Sequence, residues 1–171
     1  WHVGGTIRKG DDAAGVGVSL SQGYSVNGRQ GEVETVEFHR DRGVSVTVYK
    51  GQRKGHASSS DDNRDSLRAT LAAATAIAGY TEEDRYAGLA PAADLAKEVT
   101  DLDLYHPWAM DTQSAIEQAL RCETVARDDA RIVNSEGASV NSGASLRVYA
   151  TSEGFLHGYR GTHHSRVCSV V

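Results

Sequence analysis

Val44, Val46 and Val48 alternate with Ser45, Thr47 and Tyr49. A period of two puts the three valines on one face of a pleated strand, so any fold of this chain must supply a core for that face. Gly43 opens the run, Lys50-Gly51-Gln52-Arg53 has the composition of a tight turn, and Lys54 to Ser60 returns antiparallel, which predicts a central hairpin. Upstream, Val33, Val36 and Phe38 are out of phase with one another between Thr35 and Val36, and a β-bulge would absorb the extra residue.

Two stretches follow the helical period instead. Leu67, Leu71, Ala74, Ile77 and Ala78 form one apolar stripe. Ser58-Ser59-Ser60-Asp61-Asp62 offers oxygens to its first amides, and Gly79 is placed for a left-handed cap at its end. Capping also explains that serine-rich entry better than anion binding does. A second helix is expected from Asp111 or Thr112, with Ser114 and Glu117 as a rival capping box. Its apolar face is Ala115, Ile116, Ala119, Leu120, Cys122 and Ala126, which makes Cys122 a small core residue rather than a nucleophile.

The remaining segments are shorter signals. Val16, Val18 and Leu20 alternate, and Asn27-Gly28 suits the positive φ angles of a hairpin turn after Tyr24 and Val26. Residues 80–111 hold both prolines and read as a long connection, with a short extended piece at Asp101–Pro107. Four strands are expected at 131–134, 145–150, 155–162 and 165–171. Leu146, Val148, Tyr149 and Gly154 echo Val46, Val48, Tyr49 and Gly51, which suggests an internal duplication with the second copy in the opposite order.

Together these elements predict an α+β fold: a mixed, mostly antiparallel sheet with two main helices over residues 16–171, after an irregular segment at 1–15. A chain of 171 residues buries roughly two-thirds of its unfolded surface. Trp1 replaces an initiator methionine and the final residues still read as strand, so the native polypeptide is expected to continue past Val171.

Composition narrows the function classes. No run approaches the ~20 apolar residues of a membrane-spanning helix, and residues 1–14 lack a targeting pattern. With 23 acidic and 18 basic side chains, the net charge of −5 argues against broad nucleic-acid binding. Two cysteines make no disulfide framework, which fits a cytoplasmic setting. Seven histidines occur without an HExxH or HExxxH array. His163 and His164 are adjacent on an expected strand and so point to opposite faces. His39, His56, His106 and His157 are isolated singles. No nucleophile elbow, Walker loop or dinucleotide fingerprint is present. Lys50, Arg53 and Lys54 form a basic turn, a solvated face or a contact for a carboxylate or partner.

The segments GEVETVEF, VTVYKGQRKGHASSSDD, TDLDLYHP, RIVNSEGASVNS and SEGFLHGYRGTHHS together resemble the N-terminal part of the TldD/PmbA family, on its PmbA (TldE) side. The resemblance runs in order from about Val16 to Val171. It implies a two-subunit, cytoplasmic metalloprotease acting on peptides and unfolded segments, formerly described as a modulator of DNA gyrase. In that family the TldD-type subunit holds zinc at an HExxxH site in its later half, and the PmbA-type subunit is its partner.

By this resemblance no catalytic residue and no metal ligand carry over to a position in this chain. The implied partners are a TldD-like catalytic subunit, the chain's own C-terminal domain and peptide substrates. Lys50, Arg53 and Lys54 are the candidate peptide or partner contacts, with the sheet receiving an extended peptide through backbone hydrogen bonds. One alternative has the chain contribute directly to a zinc peptidase site, through His163 or His157. Another is a gyrase- or DNA-associated binding module. The helix that precedes the first strand in this family has no counterpart in residues 1–15.

Overall fold

The computed structural model describes residues 12–171. Five strands form one sheet: β1 (Asp12–Arg29), β2 (Glu32–Lys50), β3 (Arg53–Ser59), β4 (Ser135–Thr151) and β5 (Leu156–Val170), in the order β3-β2-β1-β4-β5. Two helices, α1 (Arg64–Tyr80) and α2 (Thr112–Arg127), complete the α+β fold. Strands β2 and β3 pair antiparallel from Val44↔Ser59 to Lys50↔Arg53. Close approaches of Ala14 to Ser152 and of Gly23 to Gly143 run in opposite chain directions, so β1 and β4 are antiparallel too.

The chain divides into two compact units. Among the described residues, unit 1 comprises 12–20, 41–102 and 146–159; unit 2 comprises 21–40, 103–145 and 160–171.

In unit 1, Val46 and Val48 are buried with Ala14, Ala74 and Ala78. Burial is worth about 2 kcal/mol per valine, and a one-residue slip of β2 would expose the whole set, so the register is strongly held. Helix α1 is capped by Asn63, whose side-chain oxygen accepts from the amides of Asp65 (3.0 Å) and Ser66 (2.8 Å). Asp61 braces that cap by accepting from the Asn63 amide. The cap therefore lies just beyond the serine-rich entry, because asparagine meets two amides at once.

Two expectations about α1 are corrected. Ile77 is exposed, and the buried positions are Thr70, Ala74 and Ala78. Thr70 tolerates burial by donating to the carbonyl of Ser66 at 2.7 Å. Gly79 stays within the helix, which ends at Thr81 as the chain turns extended with φ −70° and ψ 151°. The helix lies so close to β3 that a Cβ on Gly55 would collide with the backbone of Ala74 and Ala78.

Unit 2 is built around Val26, Val140, Ala115 and Ala119, with Tyr24, Trp108, Met110 and Ile116 packed against them. Asp111 caps α2 by accepting from the Ser114 amide at 2.8 Å, so the rival box of Ser114 and Glu117 is not used. The first hairpin turns at Gln30 (φ 54°) and Gly31 (φ 82°), not at Asn27-Gly28. Gly28 is needed for another reason: a Cβ there would come within 2.8 Å of Leu120.

Of the strands expected in the last third, 145–150 lies within β4, 155–162 and 165–171 merge into β5, and 131–134 is not a strand but the turn and extended lead into β4; the interior glycines relieve crowding rather than punctuate. A Cβ on Gly158 would lie 2.5 Å from the Arg147 carbonyl. Likewise β2 is continuous from Glu32, and Val33, Val36 and Phe38 are exposed along it.

Candidate functional site

The basic turn resolves into two sides. Paired residues of an antiparallel ladder share a face, so Lys50 and Arg53 lie on the same side as the buried valines and Lys54 lies opposite, beside Tyr49. Arg53 is tied to the end of α1: it donates to the carbonyl of Gly79 at 3.3 Å and pairs with Glu83 at 3.5 Å. That guanidinium neutralises the negative end of the helix dipole, a local structural role. The two lysines lie along the rim of the hairpin.

The histidines are dispersed, and several are engaged. His56 shares a hydrogen bond with the hydroxyl of Thr47 at 3.0 Å, and His106 lies 3.2 Å from Asp103. His157 meets the edge of Phe155 in unit 1, while His163 belongs to unit 2. Among the described residues no group of three or more His, Cys, Asp or Glu side chains is arranged to hold a metal ion. As placed, these described side chains do not fit a metal centre.

The most developed constellation lies in unit 2, where the chain between Asp103 and Trp108 runs beside β5. Thr162 donates its amide to the carbonyl of Leu104 at 2.8 Å, and the His106 amide donates to the Thr162 hydroxyl at 3.0 Å. His164 bridges Ser142 (2.9 Å) and the carbonyl of His106 (2.8 Å). Since a carbonyl only accepts, Nε2 of His164 carries the proton. The same ring stacks on Trp108 at 4.2 Å and 10°.

Next to this stack a groove of about 440 Å³ is lined by Tyr24, Phe38, Arg40, Tyr105 and Trp108 among others. Tyr24 and Phe38 meet at 6.1 Å in a tilted pair. The buried hydroxyl of Tyr24 has no hydrogen-bond partner among the described residues. Gly23 and Gly143 pass beneath, where a Cβ on Gly23 would lie 2.7 Å from the His39 ring. Sequence reasoning missed this groove because its aromatic residues are far apart in the chain. Phe38 on an otherwise polar run of β2 was the available signal.

Two further features escaped the sequence. Glu123 is 1% exposed within the expected apolar face of α2. It accepts from the amides of Gln30 (2.8 Å) and Gly31 (3.1 Å). Burial pushes its carboxyl up, but hydrogen bonds from Ser135 and those two amides, with Arg127 nearby, outweigh burial and hold it below the ordinary glutamate range. Cys122 and Cys168 are both free and adjoining, and burial together with Cys122 and Glu123 raises the Cys168 thiol.

The described chain is an antiparallel sheet with one α-helix in each unit. Two family models match it: PmbA/TldA metallopeptidase domain 1 over residues 14–78, and the PmbA/TldA metallopeptidase central domain over residues 105–171. The chain is 45% identical over 161 residues to the metalloprotease PmbA of Escherichia coli O157:H7, covering 94% of this chain and 36% of that protein. It is 42% identical over 164 residues to the metalloprotease PmbA homolog of Haemophilus influenzae, covering 95% and 36%.

Among solved structures, a protein from Bacteroides thetaiotaomicron described as a modulator of DNA gyrase superposes with a TM-score of 0.81 at 21% identity. TldE from Thermococcus kodakarensis gives 0.75 at 13% identity. Each match covers 92% of this chain and 36% of the other. The chain belongs to the PmbA/TldE side of this metallopeptidase family. It spans about a third of the length of the curated relatives it matches.

Proposed function

We propose that this chain is the N-terminal part of a PmbA/TldE-like subunit, preceding that subunit's C-terminal domain, that guides extended peptides toward a TldD-like, zinc-bearing partner in the cytoplasm. In this reading it has no hydrolytic centre of its own. The observation that carries the proposal is the way the chemistry-capable side chains are used. His164, His56 and His106 are each held by hydrogen bonds, and Glu123 is committed to a hairpin turn.

The sheet supports peptide guidance. Its outer strands are β3 and β5, and an edge strand can pair with an extended peptide through backbone hydrogen bonds with little sequence selectivity. The Leu104–Thr162 contact is an instance of such pairing within the chain itself. Lys50 and Lys54 stand at the hairpin end of β3, where they would meet a carboxylate of a peptide or partner, while Arg53 is held at the end of α1 by Gly79 and Glu83.

The test is reconstitution with a TldD-like subunit and an unfolded peptide. Co-elution and hydrolysis are expected only when both proteins are present, and a chelator should abolish the hydrolysis. Cleavage by this chain alone, or stoichiometric tight zinc binding to it, would overturn the reading.

A further inference from the structure

We propose that the aromatic groove of unit 2 is a subsite for peptide segments in which an aromatic side chain is flanked by carboxylates. The proposal rests on the peptide-guiding reading and gives it a substrate class.

The walls supply the aromatic part. Phe38 is 69% exposed, far beyond what a core aromatic shows, and among the described residues only Tyr24 is paired with its ring. Across the groove, Trp108 is held flat by its stack on His164. That imidazole is itself fixed at both nitrogens, by Ser142 and by the His106 carbonyl. A rigid ring presents contact area without losing rotamer freedom on binding, so an incoming aromatic side chain finds a pre-organised surface. The volume of about 440 Å³ holds one large side chain and its flanks, not a folded partner.

Charge supplies the acidic part. Arg166 lies over Trp108 at 5.4 Å, Arg160 lies over Tyr105 at 4.7 Å, and Arg40 lines the groove. On a chain of net charge −5, no aspartate or glutamate among the described residues lines this groove. None of the three arginines forms an ion pair among the described residues. A guanidinium over a ring face can keep N–H groups for a carboxylate, which it takes in bidentate fashion. Nucleic acid shares the anionic and aromatic chemistry, but the overall negative charge of the chain opposes a polyanion.

The experiment titrates the chain with acetyl-Glu-Phe-Asp-amide, acetyl-Lys-Phe-Lys-amide and acetyl-Glu-Ala-Asp-amide by calorimetry, with oligothymidylate as competitor. The acidic phenylalanine peptide should bind about tenfold tighter than either control, and the preference should shrink with salt. Arg166→Glu, an exposed change, should remove the preference for acid, and Phe38→Ser the preference for the ring. Equal affinities for the three peptides, no binding of any, indifference to both variants, or tighter binding of the oligonucleotide would each overturn the proposal.

The two readings fail separately. If the reconstituted complex cleaves acidic and basic peptides alike, and Arg166→Glu changes neither rate, the subsite is lost and the guiding role stands. If no complex forms while the peptide preference persists, the guiding role is lost instead.

Discussion

The carboxylate of Glu123 lies 3.1 Å from the backbone amide of Gly31, so helix α2 grips the turn of the β1–β2 hairpin from within unit 2. A turn with positive φ at both Gln30 and Gly31 aims successive amides into one concavity, and a fully ionised acceptor fits it. Removing the acceptor leaves two inward amides unpaired. Glu123→Ala is expected to cost about 3 kcal/mol, measured by urea denaturation.

The same group makes stability depend on pH. Its folded pKa is depressed below the ordinary glutamate value of 4.5, so its contribution is complete above that value. It declines as pH falls from there through the folded pKa. Glu123→Gln should flatten this acid limb while lowering stability at pH 7, and an unchanged acid profile would contradict the assignment.

Close packing of α1 on β3 sets a second prediction. Gly55→Ala drives a methyl group into the backbone of Ala74 and Ala78, which cannot move aside like a flexible side chain. The loss should be about 3 kcal/mol or a failure to fold. By contrast Gly51→Ala meets open space but keeps a φ of 57°, and should cost about 1 kcal/mol. Thermal melts of the two variants side by side distinguish crowding from backbone strain.

Asn63 is the cap of α1, satisfying two amides. Asn63→Ala should therefore destabilise by about 1 kcal/mol, and Asn63→Asp should largely retain stability because its oxygen accepts in the same place. Chemical denaturation gives both values.

Cys168 is raised by burial and by the neighbouring Cys122 and Glu123. Because the thiolate is the reactive form, alkylation by iodoacetamide at neutral pH should be several-fold slower than that of a free cysteine. Cys122→Ser should change the rate; equal reactivity in the two proteins would show that the thiols do not interact.

How much of this was legible beforehand varies by element. The hairpin at Val44–Ser59 follows from alternation, since a period of two leaves one arrangement that buries three valines together. The family resemblance was equally readable, as several dispersed motifs occur in order and both family models match where they lie. The start of α2 also followed from a local rule, an aspartate one residue before the helix.

The glycines were ambiguous. Gly28, Gly143 and Gly158 have the composition of turns, yet they sit inside long strands because another backbone or side chain passes too near for a Cβ. Whether a glycine bends the chain or admits a neighbour depends on residues far away in sequence, such as Leu120 beside Gly28.

Local patterning thus determined the element types, the central register and the family, because capping, alternation and helical stripes act over a few residues. Only the tertiary structure decided that Glu123 is buried at a turn, that Phe38, Tyr105, Trp108 and three arginines share one neighbourhood, and that Lys54 faces away from Lys50. Those relations arise from the pairing of strands distant in the chain, and no short-range rule carries the information that aligns them.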